Sequence, residues 1–141
     1  MADFRLFTLE EAERTLPLVR RVVEDLMATY PAWRAAVARY EVLSGAARAE
    51  AGESGELAAA REAVTEHAGR IDEYLRELGA VGCVFKGFEA GLVDFYSLRE
   101  DRPIFLCWRL GEDRIRYWHE IDAGVAGRQP IDGAVLTGTI R

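Results

Sequence analysis

The sequence has little of what secreted or membrane proteins require. Its only cysteines, Cys83 and Cys107, are too few for a disulfide framework and do not form a CxxC pair. No apolar run approaches the ~18 residues of a membrane span, and the first residues lack the apolar stretch of a signal peptide. We therefore expect a cytoplasmic protein that has two reduced thiols and no membrane partner.

The chain also lacks an excess of positive charge. Its net charge is −6, and its basic residues are 17 arginines and a single lysine, Lys86. Binding to a phosphate backbone depends on clustered lysine and arginine, whereas the arginines of the first 40 residues alternate with glutamate and aspartate. We expect no nucleic-acid partner.

What the chain does have is a composition suited to one folded domain. Half of its 141 residues are apolar and 30% are charged, and one hydrophobic core serves chains of this length. We predict a single domain over residues 1–141, of the α+β class.

The first half predicts a long helical hairpin over residues 8–79. Thr8 and Glu11 have the spacing of a capping box, so a helix is expected to begin near Leu9. Apolar residues then recur every three or four positions as far as Tyr40. Pro17 and Pro31 lie inside this stripe, and kinks or short breaks are expected there. The stripe keeps its phase through both prolines, which predicts one long, bent helical arm.

Glycine and small polar residues at positions 44–45 and 50–55 mark a connection to the second arm. A second apolar stripe runs from Leu57 to Leu78, and Gly79 is well placed to end that helix. The two arms are expected to pack antiparallel. Apolar residues beside the stripes exceed what one partner helix covers, which predicts a homodimer joined through its helices.

Residues 80–132 predict an antiparallel β-meander of three or four strands and a loop rich in glycine and arginine, followed by a tail, residues 133–141, that is expected to fray. A symmetric turn at 111–113 would pair residues whose numbers sum to 225. In that register Trp108 and His119 share a buried face, while Cys107, Trp118 and Glu120 share the other. A Cys107–His119 nucleophilic pair is therefore not expected.

Several segments carry a resemblance to a known family. They are residues 7–12 (FTLEEA), 91–95 (GLVDF), 106–112 (LCWRLGE), 117–120 (YWHE) and 123–131 (AGVAGRQPI). Together they resemble the bacterial family catalogued as domain of unknown function 2203, over essentially the whole chain. The resemblance implies a prokaryotic cytoplasmic protein and directs attention to the strands and loops. It implies no activity and no cofactor.

His119 is the strongest candidate for chemistry. An imidazole near carboxylates is typical of a general base and of a metal site, so the catalytic candidates are His119, Glu120 and Asp94, and the metal candidates are His119, Asp94 and Asp122. The alternative is a structural histidine that orders the last loop. His67, on the second helical stripe, is expected to be a core histidine hydrogen-bonded by Tyr30 or Tyr40.

The loop at 124–130 has two interpretations. Arg128 and the backbone N–H of Gly127, beside Trp118, offer contacts to a small anion. Alternatively, Arg128 pairs with Asp94, Asp122 or Glu120 and merely fixes the loop.

Two functions follow from these candidates. The first is a non-enzymatic binding or interaction protein that presents the β-hairpin and its loop to another protein or a small anionic ligand. The second is a small metal-dependent or acid–base enzyme that uses His119 and nearby carboxylates. Geometry separates them, because the second requires His119 and carboxylates together in an open cleft.

Overall fold

The computed structural model describes residues 5–50 and 55–135. It has the predicted α+β architecture, a helical hairpin followed by an antiparallel sheet, with five strands in place of the predicted three or four. The helices are α1 (Leu9–Glu50) and α2 (Gly55–Val81). The strands are β1 (Val84–Phe85), β2 (Leu92–Arg99), β3 (Arg102–Arg109), β4 (Tyr117–Glu120) and β5 (Gln129–Pro130).

The capping box forms at the start of α1 as the sequence predicts. The Thr8 N–H donates to Glu11 Oε1 at 2.9 Å, and the Glu11 N–H donates to Thr8 Oγ1 at 3.1 Å. The backbone N–H of Thr8, then its hydroxyl, lowers the pKa of Glu11 because both stabilise its carboxylate. These bonds satisfy two N–H groups that a helix start otherwise leaves without partners.

Helix α1 is continuous through Pro17 and Pro31 and through Ser44–Gly45, which confirms one long first arm, and the short breaks do not form. Both prolines are exposed. Each removes one helical N–H, but the carbonyl left free four residues earlier can bond water on that side, which explains why the helix tolerates them. Neither described helix has an apolar stretch long enough to cross a membrane.

Helix α2 extends past Gly79 and ends at Val81, because Gly82 is the residue that terminates it. Gly82 has a φ of 104°, in the left-handed region, and its N–H lies 3.2 Å from the Leu78 carbonyl and 3.1 Å from the Gly79 carbonyl. A left-handed glycine just after the last helical residue is the usual way to satisfy such carbonyls. The predicted end at Gly79 was therefore too early.

The chain divides into two compact units, Asp25–Leu75 and Met1–Glu24 with Arg76–Arg141. In Asp25–Leu75, Arg61 of α2 lies over the Tyr40 ring of α1 at 5.8 Å, and Leu57 is buried. The buried Nδ1 of His67 has no hydrogen-bond partner among the described atoms. The bond predicted from Tyr30 or Tyr40 is not formed at that atom.

The other unit contains the whole sheet, in the order β1-β2-β3-β4-β5 with every pair antiparallel. One face, called the core face, holds most of the buried apolar residues of the strands: Val93, Phe95, Ile104, Leu106, Trp108 and Trp118. Phe7 packs on this face with its ring edge-on to Phe95, 5.1 Å between centroids. The Phe7 N–H donates to the Tyr96 carbonyl at 2.7 Å, and Ser97 Oγ donates to the Phe7 carbonyl at 2.6 Å. The segment before α1 is thereby attached to β2.

The register of the β3–β4 hairpin differs by one from the prediction. Phe105 pairs with His119 and Cys107 pairs with Tyr117, so the numbers sum to 224 and not to 225. The reason lies in residues 110–116, which do not form a tight symmetric turn. Glu112 Oε1 accepts the Arg109 N–H at 2.7 Å, and Ile115 is buried. The shift moves His119 and Tyr117 from the core face to the opposite face.

Residues 133–135 of the predicted tail are held by the sheet. Val135 forms a bridge with Arg99 and is 2% exposed, and the Glu100 N–H donates to the Ala134 carbonyl at 3.2 Å. The expected fraying is therefore not seen as far as Val135, and residues 136–141 lie outside the described part of the chain.

Phe7→Ala is expected to lower the free energy of unfolding by about 3 kcal/mol, because it leaves a cavity against Phe95. Urea unfolding followed by circular dichroism measures the change. Val42→Ala is the control: Val42 is 72% exposed, and a change within about 0.5 kcal/mol is expected there. Equal effects at the two positions would contradict the packing of Phe7 on the core face.

Candidate functional site

The face opposite the core face carries three polar residues that are almost fully buried. Asp94 on β2 and Cys107 on β3 are each 1% exposed, and His119 on β4 is 3% exposed. Asp94 pairs directly with Cys107, and His119 pairs with Phe105, one step along the same face. One carboxylate oxygen, the Cys107 Sγ and one imidazole nitrogen all lie within 4.8 Å of one another. We call these three residues the Asp-Cys-His cluster.

Both ring nitrogens of His119 are engaged. Nδ1 lies 2.8 Å from the Glu120 carbonyl oxygen, and Nε2 lies 3.2 and 3.1 Å from the two Asp94 oxygens. A carbonyl oxygen only accepts, so Nδ1 carries a proton. In a neutral imidazole Nε2 is then an acceptor, and it faces a carboxylate that also only accepts. A second proton or a metal ion must lie between them to make the contact favourable.

Cys107 is a poor nucleophile in this setting. Burial, and secondly the negative charge of Asp94, raise the pKa of its thiol to about 12. The thiol is therefore protonated at neutral pH, and the thiolate is the reactive form of cysteine. His119 offers it no base, because both of its ring nitrogens are occupied. A metal ion would reverse this preference, since a coordinating thiol loses its proton.

A cleft of about 570 Å³ opens beside the Asp-Cys-His cluster. Its walls come from the β1–β2 turn and from the loop after β4. Its charged lining residues outside the cluster are Lys86, Glu89 and Arg109, all exposed. Lys86 Nζ lies 4.8 Å from the centroid of the Phe105 ring, and that ring in turn packs 5.4 Å from the His119 ring. The cluster is thus reached from solvent through a cleft with two cations.

Arg128 holds the loop after β4 against the end of β3. Its guanidinium donates to Glu112 Oε1 at 2.6 Å and to the Cys107 carbonyl at 3.2 Å, and it lies 4.2 Å from the centroid of the Tyr117 ring. The side chains of the ion pair are only 11% and 15% exposed. Arg128 does pair with a carboxylate, as one interpretation of the sequence held, but the partner is Glu112 and not Asp94, Asp122 or Glu120.

Other residues singled out in the sequence lie away from the cluster. The Glu120 side chain pairs with Arg102 at 2.8 Å, and Asp122 is exposed beyond the end of β4. Trp118 is buried on the core face, where the Arg99 guanidinium lies 4.8 Å from its ring centroid. Gly127 ends a short 3-10 helix, Val125–Gly127, where a Cβ would come within 2.9 Å of the Ala123 Cβ.

The structure thus brings two of the predicted metal candidates, His119 and Asp94, into hydrogen-bond contact. It adds Cys107, which lies on the opposite face from His119 in the predicted register. That placement was wrong because it depended on the register of one turn. When the residue numbers of each β3–β4 pair sum to 224, the alternation of side chains places Cys107 and His119 on the same face, and Cys107 would have been a candidate metal ligand.

Fold and site together define a small α+β protein with a buried Asp-Cys-His cluster at the base of a cleft. The family model described as "Uncharacterized conserved protein (DUF2203)" matches residues 5–131. The chain belongs to this family. Comparisons with curated proteins and with solved structures give no match.

Arg128→Met is expected to destabilise the protein by about 3 kcal/mol, because it leaves the Glu112 carboxylate mostly buried without its partner. Adding Glu112→Gln should recover part of this loss, with a coupling energy of about 1–3 kcal/mol between the two sites. Urea unfolding of both single variants and the double variant measures the cycle. Additive losses would contradict a coupled pair.

Proposed function

We propose that this protein binds one divalent transition-metal ion, zinc by preference, through an Asp94 carboxylate oxygen, Cys107 Sγ and His119 Nε2. The proposed site lies at the base of the cleft. Zinc suits this donor set because it binds thiolate, imidazole and carboxylate together. Calcium and magnesium do not, because they take oxygen ligands.

The observation that carries the proposal is the hydrogen bond between His119 Nδ1 and the Glu120 carbonyl. Histidine ligands of metals usually donate their second ring N–H to a carbonyl or carboxylate, which fixes the tautomer and aims the other nitrogen at the ion. Here the nitrogen so aimed is Nε2, and the group it faces is the Asp94 carboxylate. A cation bound by both residues requires this arrangement, in which a nitrogen lone pair and a carboxylate point at each other.

The distances support the same conclusion. Bonds of about 2.0–2.2 Å from zinc to nitrogen and oxygen separate those two ligands by roughly 3.3–3.5 Å at a tetrahedral ion. The Nε2–Asp94 distances of 3.1 and 3.2 Å are close to this value. The sulfur lies within 4.8 Å of both, and it would complete the set if the Cys107 side chain turned toward the ion.

Three protein ligands leave one position free, and that is the arrangement of catalytic zinc sites, whereas structural sites use four protein ligands. Such an ion can act as a Lewis acid on a substrate or on water. The metal-dependent alternative therefore moves ahead of the non-enzymatic binding protein as our proposal. Acid–base catalysis by His119 alone is less well supported, because neither ring nitrogen is free to exchange a proton with a substrate.

The test is metal binding by the purified protein. We expect about one zinc or cobalt ion per chain by elemental analysis and titration calorimetry, and a thiolate-to-cobalt charge-transfer band in the near ultraviolet. Asp94→Asn, Cys107→Ser and His119→Gln should each weaken binding by more than about 100-fold, because even outer hydrogen-bond partners of metal ligands contribute 10- to 100-fold.

Cys83→Ser is the matched control. Cys83 is also a buried thiol, and burial likewise raises its pKa to about 12, but its Sγ donates to the Leu78 carbonyl and lies outside the cluster. This variant should keep the metal and the charge-transfer band. Absence of stoichiometric metal from the wild type, or equal loss in both cysteine variants, would sink the proposal. The Asp94–His119 contact would then be a buried ion pair closed by a proton.

The predicted homodimer and cytoplasmic location accompany this proposal. Leu18 and Leu75 on the helices are 40% and 38% exposed, and the proposed dimer would cover them. Light scattering coupled to size-exclusion chromatography should give twice the 15.8 kDa mass of the chain. A mass of one chain over a range of concentrations would contradict the dimer without affecting the metal site.

A further inference from the structure

We infer that the ligand of this cleft is a small molecule bearing an oxyanion, a carboxylate or phosphate group, and that Lys86 and Arg109 bind it beside the metal. The inference rests on the proposed metal site. It concerns the free coordination position and the two cations on the same side of the sheet.

Strand pairing places these cations in one row, next to the row of two metal ligands. Leu92 of β2 pairs with Arg109 of β3, and the N–H of Lys86, the residue after β1, donates to the Leu92 carbonyl at 2.8 Å, so the three residues stand side by side. The adjacent row on this face contains Asp94 and Cys107. Rows on one face of a sheet are about 7 Å apart, a distance that long side chains span.

The Lys86 side chain crosses that distance. Its Nζ lies 4.8 Å from the centroid of the Phe105 ring, and Phe105 is the direct strand partner of His119. The ammonium group of this exposed side chain therefore lies over the part of the face that carries the cluster. It is also the only lysine of the chain. Among the described residues, neither Lys86 nor Arg109 has an ion-pair partner.

The charges of the loaded site favour an anion. A divalent ion with the Asp94 carboxylate and the Cys107 thiolate is formally neutral. Lys86 and Arg109 then exceed Glu89 by one positive charge among the remaining lining residues. An anionic ligand would neutralise this excess, occupy the free coordination position and accept charge-assisted hydrogen bonds from both cations. The cleft volume of about 570 Å³ is that of a small-molecule site.

The experiment uses the full chain loaded with cobalt. Inorganic phosphate and malonate are titrated separately at constant ionic strength, and malonamide serves as the uncharged analogue. Visible absorption of the cobalt and calorimetry give the affinities. We expect saturable spectral changes with at least one anion and none with malonamide. Lys86→Met and Arg109→Gln should each weaken anion binding by about tenfold or more. Both variants should still bind cobalt.

Arg14→Gln is the matched control, since Arg14 is an exposed arginine of α1 that does not line the cleft. It should leave anion binding unchanged. Cobalt that binds normally but gives no spectral response to either anion would overturn this inference and leave the proposed metal site intact. Equal anion affinity in the wild type and both cleft variants would also overturn it. Failure of the wild type to bind cobalt would remove the proposed function itself and this inference with it.

Discussion

The register of β3 between β2 and β4 is the constraint on which the site depends. Side chains alternate across a strand, so a shift by one residue exchanges the two faces completely. In the observed register one face buries Val93, Leu106 and Trp108, and the other gathers Asp94 and His119 around Cys107. The same pairing that builds the core therefore assembles the polar cluster. Neither can change without the other.

The turn between β3 and β4 sets that register, and it does so through Glu112. Its carboxylate accepts from the Arg109 N–H and from Arg128, and its carbonyl accepts from Trp108 Nε1 at 3.0 Å. One residue thus connects the end of β3, the core face and the loop after β4. Because Arg128 also donates to the Cys107 carbonyl, the ion pair fixes the backbone next to a proposed metal ligand. The Arg128–Glu112 ion pair therefore positions the backbone of Cys107, and neither of its two charges is left unpaired.

The sequence predicted those features that local rules determine. The capping box at Thr8, the helical hairpin and the antiparallel sheet follow from side-chain periodicity and end signals, and they agree with the structure. His119 and Asp94 were identified because an imidazole near carboxylates is typical of a general base and of a metal site. The single long first arm is confirmed as well, whereas the short breaks considered at Pro17 and Pro31 do not form. The hairpin register was not predictable, because it depends on contacts of Glu112 with residues before and after the turn.

Cys107 shows why that one error mattered for function. From the sequence alone, Cys107 between Leu106 and Trp108 is interpreted as a small residue that fills the core. Its strand partners change that interpretation. In the structure Cys107 lies beside Asp94 and His119, and packing alone does not explain three buried polar residues together. Apolar residues of similar volume in place of a buried ionic group often leave stability unchanged or raise it by about 1–4 kcal/mol. The fold therefore gains little from a buried cluster in which His119 Nε2 and the Asp94 carboxylate, both acceptors when the imidazole is neutral, face each other. The proposed cation would account for all three, and the cleft beside them would give it access to a ligand.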